Sequence, residues 1–400
     1  MTAASLTFNP YDYDFHDDPY AMYRQLREES PLYYNPELKF WALSRHADVT
    51  AAFRDSKRLS SANGVSLDPA AYGPHAHKTM SFLAMDDPRH MRMRQLVSRG
   101  FTPRRVNELE DRILELTDRY LDPALASGEF DWITEFAGKL PMDVISELMG
   151  VPEPDRAELR RLADLVVHRE DGVQDVPVAA MESSLQLVVY YADMLAERRK
   201  KPTDDLTSAL LEAEIDGDRL TDDEIIGFMF LMVVAGNETT TKLLGNALYW
   251  GSRNPDEVRP VLDEPEHVTD WVEETLRYDT SSQIVARTAA VDLDYYGQTI
   301  PAGDKVLILI GSANRDSDAF EDADEFRIGR DSSTKIASFG GGTHFCLGAH
   351  MARLEAKIAL TRFADKVREF DVDESGAERV HSTNVRGFAK LPVKVQVRGA

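Results

Sequence analysis

One long apolar stretch limits what this chain can fold into. Thr221 and Glu224 occupy the defining positions of a capping box, which predicts the start of a helix. The helical pattern runs to Ser252 and stops before Asn-Pro at 254–255. A helix of about 30 residues would be about 45 Å long. Because residues 225–234 are apolar on every side, we expect this helix to lie buried at the centre of a large domain.

Polar residues interrupt this helix at one place, residues 235–241, which read Ala-Gly-Asn-Glu-Thr-Thr-Thr. A glycine and three successive β-branched residues are unfavourable in a helix. A structural interpretation is that the threonine hydroxyls bond back to the preceding turn and that Glu238 finds a cation. The residues alone leave a functional role open.

The only cysteine, Cys346, lies in a glycine-rich loop at 339–348. Apolar residues then recur at steps of four, three and four, which predicts an amphipathic helix beginning at the cysteine; they are Leu347, Met351, Leu354 and Ile358. The helix dipole and the free amides of its first turn would favour a thiolate, and the glycines would let further N–H groups approach the sulfur. The loop therefore predicts a pocket for a thiolate.

Several alternatives for such a loop fail on the sequence. A single cysteine excludes an intrachain disulfide or a cysteine-rich zinc site, and the C-x-x-C-H signature of covalent haem attachment is absent. A phosphate-binding loop would need Gly-Lys-Ser/Thr, and a tyrosine-phosphatase loop would need arginine where Ala352 stands. A cysteine hydrolase using His344 as its base, and a buried structural cysteine, stay open as alternatives.

The pattern Phe-Gly-x-Gly-x-His-x-Cys-x-Gly at 339–348 resembles the haem-binding loop of the cytochrome P450 family at every signature position. In that family the cysteine thiolate is the axial ligand of the haem iron. The resemblance implies that Cys346 ligates the iron of haem b (iron protoporphyrin IX) and that Phe339 and Gly348 lie against the cofactor. It implies a mainly α fold with a smaller β-rich region, a triangular prism of helices around a buried haem.

Residues 89–105 contain six arginines and no acidic residue, in a chain with a net charge of −23. A solvated helix face is one interpretation. His90 and Arg94 are one turn apart and could grip one anionic group together. The resemblance implies that they bind the haem propionates, with Arg287 and His344 as the third and fourth such residues.

The remaining arginines of this segment should lie outside the pocket. We expect Arg92, Arg99 and Arg104 to offer a docking face for an acidic ferredoxin-type electron donor. The chain has no G-x-G-x-x-G dinucleotide fingerprint. Electrons would therefore come from a separate ferredoxin and its NAD(P)H-dependent reductase.

Residues 235–240 match the oxygen-activation motif of the family. The resemblance implies that Ala235 lies beside the haem, that Glu238 relays protons, and that the Thr239 hydroxyl holds bound O2 and orders the water that protonates it. Glu274 and Arg277 form an E-x-x-R pair, which alone has little meaning because such pairs are common on exposed helices.

By the resemblance, the E-x-x-R pair is internal and joins Arg330 to brace the cysteine loop. The proline that usually precedes this arginine is replaced near Ala323. For the substrate, the resemblance points to Val234, Ala235 and Val285.

Residues 381–388 and 391–397 predict a hairpin whose tip, Asn384 and Val385, enters the substrate pocket. Residues 284–288 and 306–310 predict strands, and residues 60–80 and 171–177 predict irregular loops. The resemblance implies that these two loops cover the substrate.

The whole chain, residues 1–400, reads as one haem-thiolate monooxygenase domain, because no linker or repeat divides it. The acidic surface disfavours nucleic acid and anionic membranes. The sequence begins without a signal-like segment, and its longest apolar run is too short to span a bilayer. We expect a cytoplasmic monomer without a membrane anchor.

The implied activity is insertion of one oxygen atom from O2 into a hydrophobic small molecule, by hydroxylation or epoxidation. Two alternatives stay open: a peroxide-dependent haem peroxygenase, and a non-enzymatic haem sensor or carrier. Glu238 and Thr239 argue against the first, because peroxide chemistry would not need them. The sequence does not identify the substrate beyond its apolar character.

Overall fold

The computed structural model describes residues 6–98, 101, 103–331 and 334–399, so Arg99 of the basic segment lies outside the described residues. The α-helices of this part of the chain are α1 Tyr13–Asp17, α2 Tyr20–Glu29, α3 His46–Arg54, α4 His77–Met80, α5 Arg89–Val97, α6 Pro103–Asn107, α7 Glu110–Ser127, α8 Leu140–Met149, α9 Glu153–Val167, α10 Val178–Lys200, α11 Leu206–Glu212, α12 Asp222–Arg253, α13 Pro255–Asp263, α14 Val268–Tyr278, α15 Ile310–Ala313 and α16 Ala349–Lys366.

The predicted central helix is α12, and its capping box is present. Thr221 Oγ1 accepts a hydrogen bond from the Glu224 amide at 3.3 Å, and the Glu224 carboxylate accepts one from the Thr221 amide at 3.0 Å. Residues along most of α12 are buried. The helix packs against α8, α9, α10, α14 and α16, so it crosses the main hydrophobic core.

The strands are β1 Leu32–Asn35, β2 Phe40–Leu43, β3 Leu59–Ser60, β4 Glu129–Asp131, β5 Glu214–Ile215, β6 Asp218–Arg219, β7 Ile284–Ala289, β8 Leu293–Tyr295, β9 Gln298–Ile300, β10 Lys305–Leu309, β11 Val367–Val372, β12 Glu378–Arg379, β13 Phe388–Lys390 and β14 Pro392–Val397. The largest sheet has the order β1-β2-β10-β7-β3, and a second has the order β11-β14-β4. The first sheet carries a core of its own, so the β-rich region stands beside the helical one.

The predicted central helix and the predicted strands at 284–288 and 306–310 are confirmed within one residue, as α12, β7 and β10. Two expectations are wrong. The helix after the cysteine begins at Ala349, three residues later than predicted, because the chain first makes a turn at Cys346. The C-terminal hairpin pairs β12 with β13, whereas β14 pairs with β11 and β4, since its apolar residues pack into the helical core.

No helix in the described part of the chain is both long enough and apolar enough to cross a bilayer.

Candidate active site

The cysteine loop connects the β-rich region to α16. Gly340 and Gly342 have φ values of +67° and +63°, which favour glycine. A Cβ at Gly342 would lie 2.6 Å from the carbonyl oxygen of Phe53, so α3 approaches too closely for any side chain there. The Cys346 amide donates to the carbonyl of Phe339 at 3.0 Å, which closes the turn.

Cys346 is accessible although protein surrounds it, as expected for a side chain that faces an internal space. Burial raises the pKa of its thiol. The Gly348 amide, Arg94, Arg353 and the Ala349 amide act in the opposite direction without outweighing burial. The predicted amide contacts to the sulfur are present, but they do not by themselves produce a thiolate. A metal ion bonded to the sulfur would supply the missing stabilisation.

Four basic residues from three segments meet near this loop. His90 and Arg94 come from α5, Arg287 from β7, and His344 from the loop itself. The rings of His90 and His344 lie 4.1 Å apart between centroids. Arg94 Nη2 donates to the carbonyl of Phe345 at 2.6 Å and so ties α5 to the cysteine loop.

Three of these four residues leave buried polar atoms without hydrogen-bond partners. Both ring nitrogens of His90, Nη1 of Arg94 and Nδ1 of His344 are in this state. Burial and the neighbouring cations Arg287, His90 and Arg94 lower the pKa of His344 to about 3. Burial likewise lowers the pKa of Arg287 to about 10. Buried polar groups are normally paired, so this cluster calls for an anionic partner.

The site residues fit a haem on these observations. Carboxylates such as the two propionates would accept hydrogen bonds from the unpaired groups of His90, Arg94 and His344, and would pair with the buried guanidinium of Arg287. The sulfur of Cys346 faces an accessible space, and a Cβ at Gly348 would meet no atom within 4 Å. A flat macrocycle between these two features would use the open space and the orphaned donors together.

The polar stretch of α12 shows both features of the structural interpretation. Thr239 Oγ1 donates to the carbonyl of Ala235 at 2.8 Å, and Lys242 Nζ lies 3.2 Å from a carboxylate oxygen of the buried Glu238. The carbonyl of Thr239 accepts a hydrogen bond from Ser281 at 2.7 Å. These contacts hold the side chains of Glu238 and Thr239 in place, and they are compatible with proton transfer through these two residues.

The predicted cluster of Glu274, Arg277 and Arg330 is assembled. All five N–H groups of Arg277 donate hydrogen bonds, two to the Glu274 carboxylate at 2.8 and 2.6 Å and three to the carbonyls of Asn314, Ala323 and Glu325. Arg330 Nε lies 3.5 Å from Glu274 Oε2. The carbonyl of Ala323, near the place of the missing proline, is one of these acceptors.

A second brace on the cysteine loop was missed from the sequence. Arg353 of α16 lies over the ring of Phe339 at 4.4 Å and forms two hydrogen bonds to Glu273 of α14, at 2.5 and 3.0 Å. The only sequence signal was the position of Arg353 two helical turns beyond the predicted helix start. Glu273 is adjacent to Glu274, so α14 supplies carboxylates to both braces.

The candidate substrate residues lie in two neighbouring parts of the molecule. Val234 and Ala235 of α12 pack at the edge of the helical core, and Val285 of β7 packs against the core of the sheet. The carbonyl of Asn384 accepts a hydrogen bond from the Gln283 amide at 2.8 Å, and Val385 forms a β-bridge with Ser282. The tip of the β12–β13 hairpin therefore lies beside the start of β7.

Arg92 and Arg104 of the basic segment differ in how far acidic side chains neutralise them. Arg92 is half-buried and paired with Asp218 at 2.5 Å and with Glu224 at 2.8 Å, so its charge is neutralised within the molecule. The expectation that Arg92 offers a free docking charge is wrong, because β6 and the start of α12 supply these acids. Arg104 has an 89% exposed side chain and a single exposed partner, Glu108.

The sequence and the fold are similar to those of known proteins. The family model described as cytochrome P450 matches residues 179–398. Cytochrome P450 123 of Mycobacterium tuberculosis is 60% identical over 393 residues, which cover 98% of each chain. Vitamin D(3) 25-hydroxylase of Pseudonocardia autotrophica is 39% identical over 395 residues, 96% of each chain. The structure of a cytochrome P450 from Chondromyces apiculatus aligns with a TM-score of 0.87 at 33% identity, covering 98% of this chain and 99% of that one.

Proposed function

This chain belongs to the cytochrome P450 family of haem-binding monooxygenases, and from that membership we propose that it inserts one oxygen atom from O2 into a hydrophobic small molecule. The reaction would be a hydroxylation or an epoxidation, with electrons from a separate ferredoxin and its NAD(P)H-dependent reductase. The observation that carries the proposal is the accessible sulfur of Cys346 beside a cluster of buried, unpaired basic groups. That combination suits a thiolate-ligated haem with two anionic side groups.

Each proposed binding residue has a distinct role. Cys346 would bond to the iron, and His90, Arg94, Arg287 and His344 would hold the propionates of haem b. When bound, the haem supplies the activation of O2. The protein would then determine where the oxygen goes and when protons arrive.

Proton delivery would depend on Glu238 and Thr239. Glu238 is buried one residue before Thr239 in α12, and its charge is held by Lys242. Glu238 would carry protons inward, and the Thr239 hydroxyl would pass them on by exchanging its bond to the Ala235 carbonyl for one to a water. Ala235 itself is small, so it leaves space on the side of the helix that carries this hydroxyl.

The substrate would contact apolar side chains, among them Val234, Ala235, Val285 and Val385. All four are buried or half-buried. A relative at 39% identity is named for the hydroxylation of vitamin D3, which supports a hydrophobic substrate class. Vitamin D3 is therefore a reasonable first probe for binding.

Isotope labelling tests the reaction. With a ferredoxin, a reductase, NADPH and ¹⁸O2, product from a bound probe should contain one ¹⁸O atom, and catalase should not suppress it. Product formed from added peroxide without the donor proteins would instead indicate a peroxygenase. Haem binding with no product under either condition would favour a sensor or carrier.

Thr239→Ala tests the role of the hydroxyl. We expect the variant to bind the probe normally, seen in the spectrum of the haem, but to release more peroxide per NADPH consumed. Thr239→Ser should restore much of the coupling. Thr240→Ala is the matched control, because Thr240 is the adjacent buried threonine on the same helix. Normal coupling in Thr239→Ala would contradict the proposed role.

A further inference from the structure

A basic cleft lies on the surface between α7, α8 and α9, and none of its residues belongs to the haem or substrate sites proposed above. Its volume is about 300 Å³, at the lower end of the range of about 300–1,000 Å³ for ligand pockets. Four cationic side chains line it, which are Arg119 of α7, Lys139 directly before α8, and Arg156 and Arg160 of α9. Two acids, Asp143 and Glu153, reduce the net charge of the cleft to +2, whereas the whole chain carries −23. A positive cleft in so acidic a chain attracts small anions.

Acidic side chains neutralise two of these four cations. Arg119 pairs with Glu153, and both side chains are exposed. Arg156 Nη1 lies 3.1 Å from a carboxylate oxygen of Glu147 and 3.4 Å from one of Asp143. The two acids of the cleft are therefore already used by Arg119 and Arg156.

The other two cations, Lys139 and Arg160, have no ion-pair partner in the described part of the chain. Both residues are half-buried. They also lie near each other, because Arg160 Nη1 is 3.7 Å from the position that a Cβ on Gly138 would take, and Gly138 directly precedes Lys139. The ammonium and the guanidinium are therefore free to bind one anion from solution.

The arrangement favours a phosphate group over a carboxylate. A tetrahedral phosphate presents oxygens in several directions, so it can accept from a lysine and an arginine on different segments, whereas a planar carboxylate suits one bidentate arginine. Lys139 Nζ lies 5.5 Å from the ring centre of Tyr120, which places the ammonium over α7. Met142 and Ala157 also line the cleft, so a small organic group can lie beside the phosphate.

We propose that this cleft binds a phosphate-bearing small molecule through Lys139 and Arg160, and that the bound molecule joins α9 to α7 and α8. Arg160 belongs to α9, whereas Lys139 precedes α8 and lies over Tyr120 of α7. The chain continues from α9 into residues 171–177, one of the two loops predicted to cover the substrate. A molecule in the cleft therefore restrains the helix that leads into this loop. The site is independent of the proposed oxygen insertion.

Calorimetric titration with inorganic pyrophosphate tests the site. The haem-loaded protein is used, so that the basic residues near Cys346 are engaged by the propionates. We expect one pyrophosphate to bind per chain. The double variant Lys139→Gln, Arg160→Gln should weaken binding about tenfold or more, because one hydrogen bond between charged groups already contributes about that factor. Citrate should bind more weakly than pyrophosphate, and equal binding of the two would contradict the preference for phosphate.

The double variant Arg161→Gln, Lys201→Gln is the matched control. It removes the same charge from two exposed positions that do not line the cleft, and Arg161 lies on α9 beside Arg160. It should bind pyrophosphate like the parent. Equal weakening in the two double variants would show that pyrophosphate responds only to the total charge of the protein. That result would overturn the proposal, as would the absence of saturable binding to the parent.

Amide hydrogen exchange of the haem-loaded parent locates the site without any substitution, so the test survives a variant that does not fold. Pyrophosphate should slow exchange in residues 139–143 and 153–160, which contribute to the cleft. Residues 293–300 of the β8–β9 hairpin do not line the cleft and should be unaffected. Unchanged exchange in α9, or protection confined to the basic segment 89–105, would overturn the proposal.

Discussion

Two buried polar clusters flank the cysteine loop, and they differ in whether their partners are present in the protein. In the cluster of Glu274, Arg277 and Arg330, every N–H group of Arg277 donates to an acceptor in the chain. Arg330 Nε is outside hydrogen-bond geometry, but its charge lies 3.5 Å from the Glu274 carboxylate. In the cluster of His90, Arg94, Arg287 and His344, ring nitrogens and a guanidinium nitrogen have no hydrogen-bond partner. We call the first the closed cluster and the second the open cluster.

The difference separates bracing from binding. Leaving a buried polar group unpaired costs about 1–3 kcal/mol, and more for a charge. A closed cluster avoids that cost within the chain, so its removal should damage the fold. An open cluster keeps its polar groups unpaired until a ligand binds. Removing one of these groups should therefore weaken ligand binding and stabilise the ligand-free protein.

Glu274→Gln should give the largest effect, because it removes the anion that holds Arg277 and Arg330. Breaking a buried ion pair costs about 3–5 kcal/mol. We expect a loss of that size in the free energy of unfolding, measured by denaturant titration of the haem-loaded protein, together with a low haem content after purification.

Asp270→Asn is the control on the same helix, since Asp270 is exposed and its ion-pair contact in the described part of the chain is the exposed His267. It should change the stability by less than about 1 kcal/mol. A comparable small effect of Glu274→Gln would mean that the closed cluster does not brace the loop.

Arg287→Met should give the next largest effect, and it should weaken haem binding without lowering the stability of the haem-free protein. A hydrogen bond to a charged group contributes about 1.5–3 kcal/mol, so haem should dissociate about 10- to 150-fold faster. The protein without haem should be no less stable than the parent, because an unpaired buried cation has been removed.

Transfer of haem to an excess of an apo-globin measures the dissociation rate. Arg58→Met is the control, because Arg58 is an exposed arginine paired with Asp55 at 2.5 Å. If Arg287→Met lowered the stability of the haem-free protein as much as that of the haem-loaded protein, Arg287 would act like a member of the closed cluster.

The sequence predicted local elements well, because their signals are local. The capping box of α12, the strand β10 and the glycine turns of the cysteine loop depend on residues a few positions apart. The family motifs also selected the members of both clusters. Motif positions do not say which groups are already paired, however, and that distinction needed the structure.

Apart from the late start of α16, the errors share a physical cause, which is pairing between distant segments. β14 joins β4 across some 260 residues, and Arg92 is neutralised by Asp218 and Glu224 from a hairpin and a helix start far along the chain. A distant partner does not change the sequence pattern around the residue that it contacts. The same holds for Arg353 and Glu273, which lie 80 residues apart.

A further buried ion pair sharpens the comparison, because its two opposite charges meet within the chain but come from two different loops. Asp68 lies in the irregular stretch 60–80, and its carboxylate is 2.6 Å from Arg169, which follows α9. The Ala70 amide donates to Asp175 at 2.9 Å between the same two loops. The resemblance to the family predicts that these two loops cover the substrate.

The double variant Asp68→Asn, Arg169→Gln keeps the polar contact and removes both charges. We expect vitamin D3, or another bound probe, to associate about fivefold faster, which corresponds to about 1 kcal/mol less resistance to opening. Stopped-flow absorbance of the haem measures the rate. Haem retention should be unchanged, and slower association would show that the pair orders the substrate site instead of restraining it.

The smallest effect is expected at the surface, where Arg104 and Arg92 extend the comparison to exposed charges. Arg104→Glu should slow reduction by a ferredoxin-type donor about twofold, because one exposed charge contributes about 0.2–1 kcal/mol, and the difference should fade at high salt. Arg92→Gln should leave the salt dependence unchanged, since Asp218 and Glu224 already neutralise that arginine. Stopped-flow reduction at several ionic strengths measures both. If both variants changed the reduction rate and its salt dependence equally, the donor would not distinguish the exposed Arg104 from the paired Arg92. The donor would then dock on another surface.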